Sequence, residues 1–340
     1  MRAVGYQRSA ELGSPHYLLD LELPEPQPGE HDLLVRLEAV AVNPVDLKVR
    51  QREVPPAGGW RVLGWDAVGR VQALGSAVSG FTPGERVWYA GSLPRQGSNA
   101  ELQRVDHRLV AAAPGSLSAA EAAALPLTAI TAWELLFDRL RLPQHPEAGH
   151  GQALLVVGAA GGVGSILVQL LRALTGLTVV GTASRPESRA WVLALGAHHV
   201  LNHQLPLRPQ LEALGIGGVE WAVGLTHTDR HFEALVDVLR PQGALALIDD
   251  PDPAALNLLA LKRKSLSLHW EFMFTRSLFG TADMAEQGRL LQRLADLVEG
   301  GLVRSTLQDH RGRINAANLE SAHRQLASGH SLGKVVLEGF

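Results

Sequence analysis

The chain has 340 residues, of which 46% are apolar, and a formal net charge of −3 at pH 7. That length allows two domains with cores of their own, and the near-neutral charge gives no reason to expect nucleic acid or an anionic membrane as a partner. There is no cysteine, which excludes disulfides, thiolate metal sites and cysteine nucleophiles.

The first 126 residues are rich in strand patterns. Apolar runs separated by Pro/Gly turns predict strands over 33–42, 67–74 and 86–90. From about residue 118 the pattern becomes helical, first over the alanine-rich segment 119–125 and then over 127–137.

From residue 152 onward, strand and helix patterns alternate. Strands are predicted over 153–157, 177–180, 198–201, 219–224, 244–248 and 265–274, and helices over 187–195, 207–214, 230–239 and 284–298. This alternation predicts a parallel sheet covered by helices on both faces. A last strand, 333–337, is expected to return to the N-terminal domain. The predicted fold class is therefore α/β, with a doubly wound domain over 127–275 inserted in a β-rich domain made of 1–126 and 276–340, and the active site in the cleft between them.

Neither export nor a membrane span is indicated. Gln169 and Arg172 interrupt the longest apolar run, and the first residues lack a secretory apolar region. We therefore expect a cytoplasmic protein.

A glycine-rich turn follows the strand predicted over 153–157. It has the pattern Ala-x-Gly-x-x-Gly, which departs from the strict dinucleotide fingerprint because Ala159 stands where glycine is expected. We expect Gly161 to take backbone angles closed to other residues, and Gly164 to let helix and strand pack closely. The candidate pyrophosphate-binding residues are Gly158, Ala159, Gly161, Gly162, Val163 and Gly164. The alternative is a tight strand-to-helix turn in another α/β protein.

The residues after the second strand of this unit bear on the choice of dinucleotide. No carboxylate occurs there before Glu187, whereas NAD-specific units place one near this point to bind the ribose 2′-hydroxyl. Arg185 can pair with a 2′-phosphate, which favours NADP(H), with Ser184 beside it and Arg189 one turn further on. In the alternative interpretation, Ser184 and Glu187 form a capping box and Arg185 is a solvated surface cation.

Several motifs together resemble the medium-chain dehydrogenase/reductase superfamily over essentially the whole chain. They are Ala-Val-Asn43-Pro-Val-Asp46, Gly64-Trp-Asp66, Gly84-Glu-Arg-Val-Trp-Tyr89, Leu125-Pro-Leu-Thr128-Ala-Ile-Thr131, the glycine turn and Gly333-Lys334-Val-Val-Leu. Within the superfamily the chain is similar to the zinc-free quinone oxidoreductases and enone reductases. The resemblance implies a Rossmann domain inserted in a GroES-like catalytic domain.

The resemblance also bears on metal binding. Zinc-dependent relatives place a cysteine where this chain has Asn43, and Gly-His-Glu where it has Gly64-Trp65-Asp66. Tryptophan cannot ligate zinc and an asparagine is a poor substitute for a thiolate, so we predict no zinc. The remaining histidine groups, His227 with His231 and His198, His199 with His203, are interpreted as surface residues, with His203 near the adenosine end of the cofactor.

The resemblance implies hydride transfer from NADPH to a quinone or an enone. Asn43 and Lys48 are then the candidate donors to the substrate carbonyl or the nicotinamide, and Asp46 orients the local backbone or Lys48. The alternatives are a turn cap for Asp46 and a solvated cation for Lys48. Candidate pocket residues are Trp65, Tyr89, Trp270, Phe272 and Phe274, with core packing as the alternative, and further cofactor residues are Thr128, Leu225, Ile248 and Lys334.

Two alternative functions and a dimeric assembly are also expected from the sequence. A zinc-type alcohol dehydrogenase and an NADPH-binding sensor or partner protein with little turnover remain as alternatives. A homodimer is expected through the long apolar edge strand predicted over 265–274.

Overall fold

A computed structural model describes all 340 residues. Its strands are β1 Arg2–Tyr6, β2 Leu19–Glu22, β3 Asp32–Ala41, β4 Arg61–Val62, β5 Ala67–Leu74, β6 Arg86–Tyr89, β7 Leu102–Asp106, β8 Ala111–Ala112, β9 Ala153–Val157, β10 Thr178–Thr182, β11 His199–Leu201, β12 Val219–Gly224, β13 Leu239–Leu247, β14 Ser267–Trp270, β15 Leu307–His310 and β16 Lys334–Glu338. Its α-helices are α1 Pro44–Arg52, α2 Ala119–Ala123, α3 Pro126–Trp133, α4 Gly162–Leu174, α5 Pro186–Ala194, α6 Leu207–Ala213, α7 Thr228–Val238, α8 Leu259–Lys262, α9 Thr275–Phe279, α10 Glu286–Glu299 and α11 Ala316–Ala327.

The chain divides into two compact units. The first unit comprises residues 1–130 and 274–340, and the second comprises 131–273. The boundaries predicted from the sequence were 126/127 and 275/276, so they lie within a few residues of these. The central unit is inserted into the sequence of the other.

The first unit is built on antiparallel strands. Its larger sheet has seven strands in the order β15-β16-β3-β5-β6-β8, with β7 also paired to β3, and β2-β1-β4 form a smaller sheet. The C-terminal strand β16 pairs antiparallel with β3, where Val336 lies opposite Ala41. The end of the chain therefore returns to the N-terminal domain.

The second unit is a doubly wound parallel sheet. Its six strands have the order β11-β10-β9-β12-β13-β14, and every neighbouring pair is parallel. This is the 3-2-1-4-5-6 order of dinucleotide-binding folds, in which ligands bind at the carboxyl ends of the strands. The predicted fold class is confirmed.

Two local predictions need correction. The edge strand predicted over 265–274 is only Ser267–Trp270, and α9 begins shortly after it. The helix predicted over 127–137 ends as α-helix at Trp133 and continues as a π-helix, Glu134–Arg139. The helical run 119–139 is long and apolar enough to cross a membrane, but it lies almost entirely in the interior of the protein.

Candidate functional site

The glycine turn joins β9 to α4. Gly158, not Gly161, has the left-handed backbone (φ 86°), whereas Gly161 is the N-cap of α4 with φ −75°. The prediction for Gly161 is therefore wrong in detail, because the tight turn occurs directly at the end of the strand. A Cβ atom on Gly164 would lie 2.4 Å from the Gly158 carbonyl oxygen, so close helix–strand packing does require glycine there.

Ala159 is accommodated by the neighbouring strand. A Cβ atom on Gly181 of β10 would lie 3.0 Å from the Ala159 Cβ. The strict fingerprint makes room at this point with a glycine in the turn. Here the turn carries Ala159, and Gly181 in β10 makes room for its methyl group. The turn leaves the first amide N–H groups of α4 at the carboxyl edge of the sheet, an arrangement suited to a phosphate.

Arg185 lies just past the end of β10. It is the N-cap residue of α5, which begins at Pro186; the capping box predicted for Ser184 and Glu187 is absent because the helix starts one residue later than that motif needs. The Arg185 side chain is 38% exposed, and its Nε lies 3.3 Å from a Glu187 carboxylate oxygen. Arg189 reaches back to the Ala183 carbonyl.

The other predicted cofactor residues of this unit follow neighbouring strands. The Leu225 amide donates to the Val157 carbonyl, 3.2 Å away, and Ile248 follows β13 directly. His203 follows β11, and its ring meets that of His231 edge-on with centroids 5.7 Å apart. Burial lowers the pKa of both imidazoles, so both are neutral at pH 7.

In the first unit, Asn43, Asp66 and Lys334 form a buried polar cluster. The Lys334 ammonium donates to Asp66 Oδ2 at 2.9 Å, to the Val42 carbonyl at 2.9 Å and to Asn43 Oδ1. Asn43 Nδ2 donates to the same Asp66 oxygen at 2.8 Å. Lys334 is 3% exposed and Asp66 is fully buried, so Lys334 is a counterion inside the fold and not the cofactor-side cation that we predicted.

The donors around Asp66 favour its ionised form. Burial raises its pKa, and Lys334 and the Leu127 amide oppose that rise. The Leu127 amide donates to Oδ1 at 2.7 Å, so both oxygens accept hydrogen bonds. Both ends of the Asn43 amide are also occupied within this cluster, so Asn43 has little hydrogen-bonding capacity left for a substrate.

The other predicted polar residues of this unit lie on helices. Asp46 is fully buried in α1, and its carboxylate accepts a hydrogen bond from the backbone N–H of Asn43 at 2.7 Å. Burial raises the pKa of Asp46 to about 7. Thr128 is buried and donates to the Leu125 carbonyl at 3.0 Å. Lys48 is half-buried on α1.

The predicted aromatic pocket is mostly core. Trp65 and Tyr89 are fully buried and Phe274 is 2% exposed, so none of them presents an open face to a ligand. Trp65 and Phe274 meet edge-on, with ring centroids 6.2 Å apart. Trp270 and Phe272, by contrast, are about half exposed.

An open cavity of about 480 Å³ lies elsewhere in the first unit. Its walls are mainly apolar and come from the loop before β4, from residues 93–96 and from α9. The lining residues are Glu53, Val54, Pro55, Pro56, Trp60, Arg61, Leu93, Pro94, Gln96 and Leu278. Sequence analysis named none of them, because loop conformation determines which of these side chains meet; the clustered prolines were the only signal.

Comparison with known proteins agrees with this architecture. The alcohol dehydrogenase GroES-like domain matches residues 29–131, and the zinc-binding dehydrogenase family matches residues 195–337. A zinc-type alcohol dehydrogenase-like protein of Staphylococcus aureus is 38% identical over 99% of both chains. A quinone oxidoreductase of Lama guanicoe is 30% identical over 81% of each chain.

The chain belongs to the medium-chain dehydrogenase/reductase superfamily. Among solved structures, a Rhizobium etli protein assigned to the zinc-dependent alcohol dehydrogenases is 52% identical, with a TM-score of 0.95 over 100% of this chain and 98% of that one. The mycobacterial protein Rv1454c, solved with NADPH, is 27% identical, with a TM-score of 0.84 over 99% and 100%. This dehydrogenase/reductase is therefore an oxidoreductase by family.

The family names raise the question of zinc, and the donor set at the motif positions bears on it. At the motif positions stand Asn43, Trp65 and Asp66, and the two polar side chains are already bonded to the Lys334 ammonium. No group of three His, Cys, Asp or Glu side chains that could hold a metal ion occurs in the chain. These residues do not fit a catalytic zinc, which needs several free N, S or O ligands.

Proposed function

We propose that this protein is an NADPH-dependent reductase that transfers hydride to a quinone or an α,β-unsaturated carbonyl compound without a metal. The observation that carries the proposal is the Lys334–Asp66–Asn43 cluster, which fills the zinc-ligand motif with a protein cation. Alcohol oxidation relies on a Lewis acid to lower the pKa of the hydroxyl. Hydride addition to a conjugated acceptor needs only hydrogen-bond donors for the oxygen that becomes negative.

The second unit supports NADPH as the reductant. NADPH supplies the hydride when it is bound. The glycine turn and the α4 N-terminus would hold its pyrophosphate, and Arg185, with no carboxylate before Glu187, would pair with the 2′-phosphate. The NADPH complex of the mycobacterial relative is consistent with this choice.

The first unit supports an apolar acceptor. The 480 Å³ cavity has prolines, Trp60 and two leucines in its walls, which suits a flat carbonyl compound better than a sugar or a phosphate ester. Lys48, half-buried on α1, stays the predicted donor to the substrate oxygen. Homodimer formation and a cytoplasmic location stay predictions.

The proposal is tested by following NADPH oxidation with a panel of ortho-quinones, para-quinones and conjugated enones, with NADH as the comparison cofactor. We expect turnover with one acceptor class and a clear preference for NADPH. Arg185→Ala should raise the KM for NADPH about tenfold or more and leave that for NADH nearly unchanged, since one charge-assisted contact is lost. Arg208→Ala, which changes a partly exposed arginine of the same unit paired with Asp237, is the matched control and should change neither.

Metal content separates the zinc-type alternative. We expect metal analysis of the purified protein to find no stoichiometric zinc, and a chelator to leave the rate unchanged. One zinc per chain with chelator-sensitive alcohol oxidation would overturn the proposal. Tight NADPH binding without turnover of any acceptor would favour a sensor or partner-binding role.

A further inference from the structure

Two glutamates and one arginine meet inside the second unit. Glu134 is fully buried and Glu271 is 3% exposed. Arg139 Nε donates to Glu271 Oε2 at 2.7 Å, and its Nη2 lies 3.8 Å from Glu134 Oε2. Nothing in the proposed reaction uses these three residues.

The π-helix brings two of them together. Glu134 and Arg139 are its first and last residues, five positions apart, and its hydrogen bonds also span five residues, as from the Leu140 amide to the Leu135 carbonyl. Residues five apart share a face in a π-helix but point in different directions in an α-helix. The wider turn therefore accounts for Glu134 and Arg139 reaching the same carboxyl group of Glu271.

The charges of this group do not balance without a proton. The carboxyl groups of Glu134 and Glu271 interact directly, and both approach the same guanidinium, that of Arg139. Two carboxylate oxygens in contact repel unless one carries a proton, as in other buried carboxyl pairs. Burial, followed by the negative charge of Glu134, raises the pKa of Glu271.

The pair is attached to the carboxyl edge of the sheet. Glu271 follows β14 directly, and its amide donates to the Leu247 carbonyl at the end of β13. Met273, two residues later, is buried. Carboxyl ends of parallel strands are where dinucleotides bind, so whatever fixes Glu271 also fixes the backbone at that edge.

We propose that Glu134 and Glu271, held on Arg139 and sharing one proton, are positioning residues that fix the segment after β14 for NADPH binding, so that loss of the proton weakens that binding. This inference rests on the proposed function. Two further charged or titratable groups flank the pair along the chain: His269, two residues before Glu271, and Arg141, just past the π-helix. Arg139 and Arg141 both lower the pKa of His269 after burial does, so His269 is already neutral in the alkaline range that matters here.

The test is the Kd of NADPH, measured by fluorescence from about pH 7 to about pH 10, where the pyrophosphate is ionised and the 2′-phosphate is almost entirely dianionic. For the wild type we expect the Kd to rise about fivefold or more across this range, a typical coupling between two sites. Glu271→Gln keeps the hydrogen bonds of the protonated carboxyl but cannot lose the proton, so its Kd should stay flat. Glu134→Gln should behave in the same way, and it carries the test if Glu271→Gln does not fold.

Glu220→Gln is the matched control. Glu220 is also a carboxylate paired with an arginine in this sheet, but it lies toward the amino end of β12 and bonds Arg240 and the Ala153 amide. It should show the wild-type pH profile. A wild-type Kd that does not change with pH, or glutamine variants that keep the wild-type rise, would overturn the positioning role and leave the proposed function standing. No NADPH binding at any pH would overturn both.

Discussion

Each unit buries a cluster with one cation and two carboxyl groups, and the two units accommodate the second carboxyl group in different ways. In the first unit, Asp66 is matched by the Lys334 ammonium, and the extra carboxyl, Asp46, accepts a backbone amide instead of touching another acid. In the second unit, the extra carboxyl faces a second carboxyl, and both depend on Arg139. Backbone donors fix the carboxyl groups of the first cluster in place, whereas the two acids of the second interact directly and a shared proton relieves their repulsion.

The largest expected effect is the loss of the counterion in the first unit. Lys334→Met removes the ammonium and leaves Asp66 buried with amide donors only. Breaking a buried pair by removing one partner costs about 3–5 kcal/mol, and we expect a loss of that size in urea denaturation at pH 7. Lys262→Met, an exposed lysine of α8, should change stability by less than about 0.5 kcal/mol.

The double variant Lys334→Met/Asp66→Asn makes the comparison sharper. It removes both charges and should recover a large part of the lost stability, because the penalty comes from the unpaired carboxylate. If the single variant is as stable as the wild type, Asp66 is not held as a carboxylate and the first cluster is not a balanced pair.

Sequence analysis could reach the local parts of these sites but not the long-range ones. The glycine turn was readable because its residues are consecutive and each packs on its neighbours, although the left-handed glycine proved to be Gly158. The Lys334–Asp66 bond joins residues 268 positions apart, so the sequence placed Lys334 in a motif without its partner. Glu134 could have been noticed as an acid inside an apolar helical run, but its pairing depends on a π-helix that periodicity does not predict.

The second prediction concerns the counterion of the second unit. Arg139→Met removes the cation that approaches both carboxyl groups, yet we expect a smaller loss than for Lys334→Met, about 1–3 kcal/mol, the cost of a lost charged hydrogen bond. The Arg139 side chain is 32% exposed, and the two acids can take up a second proton in its place. Urea denaturation at pH 6 and pH 8 checks this, since the loss should be greater at the higher pH. An equal loss at both pH values would mean that the pair takes up no proton.

The smallest effect concerns Asp46, whose raised pKa of about 7 is far above that of an aspartate in the unfolded chain. At pH values between the pKa of Asp46 in the unfolded chain and its pKa in the folded protein, the folded state binds a proton on Asp46 and the unfolded state does not. The free energy of unfolding therefore falls as pH rises toward 7 and levels off above it. From about pH 6 to about pH 8 this contribution amounts to about 1.4 kcal/mol.

Asp46→Asn imitates the protonated carboxyl and keeps an acceptor for the Asn43 amide. The difference in unfolding free energy between this variant and the wild type should therefore move in favour of the variant across that pH range, while contributions from other titrating groups cancel. A constant difference would show that Asp46 is already ionised at pH 6. The backbone amides would then stabilise a second carboxylate beside Asp66 without a proton, and the contrast with the glutamate pair would be greater still.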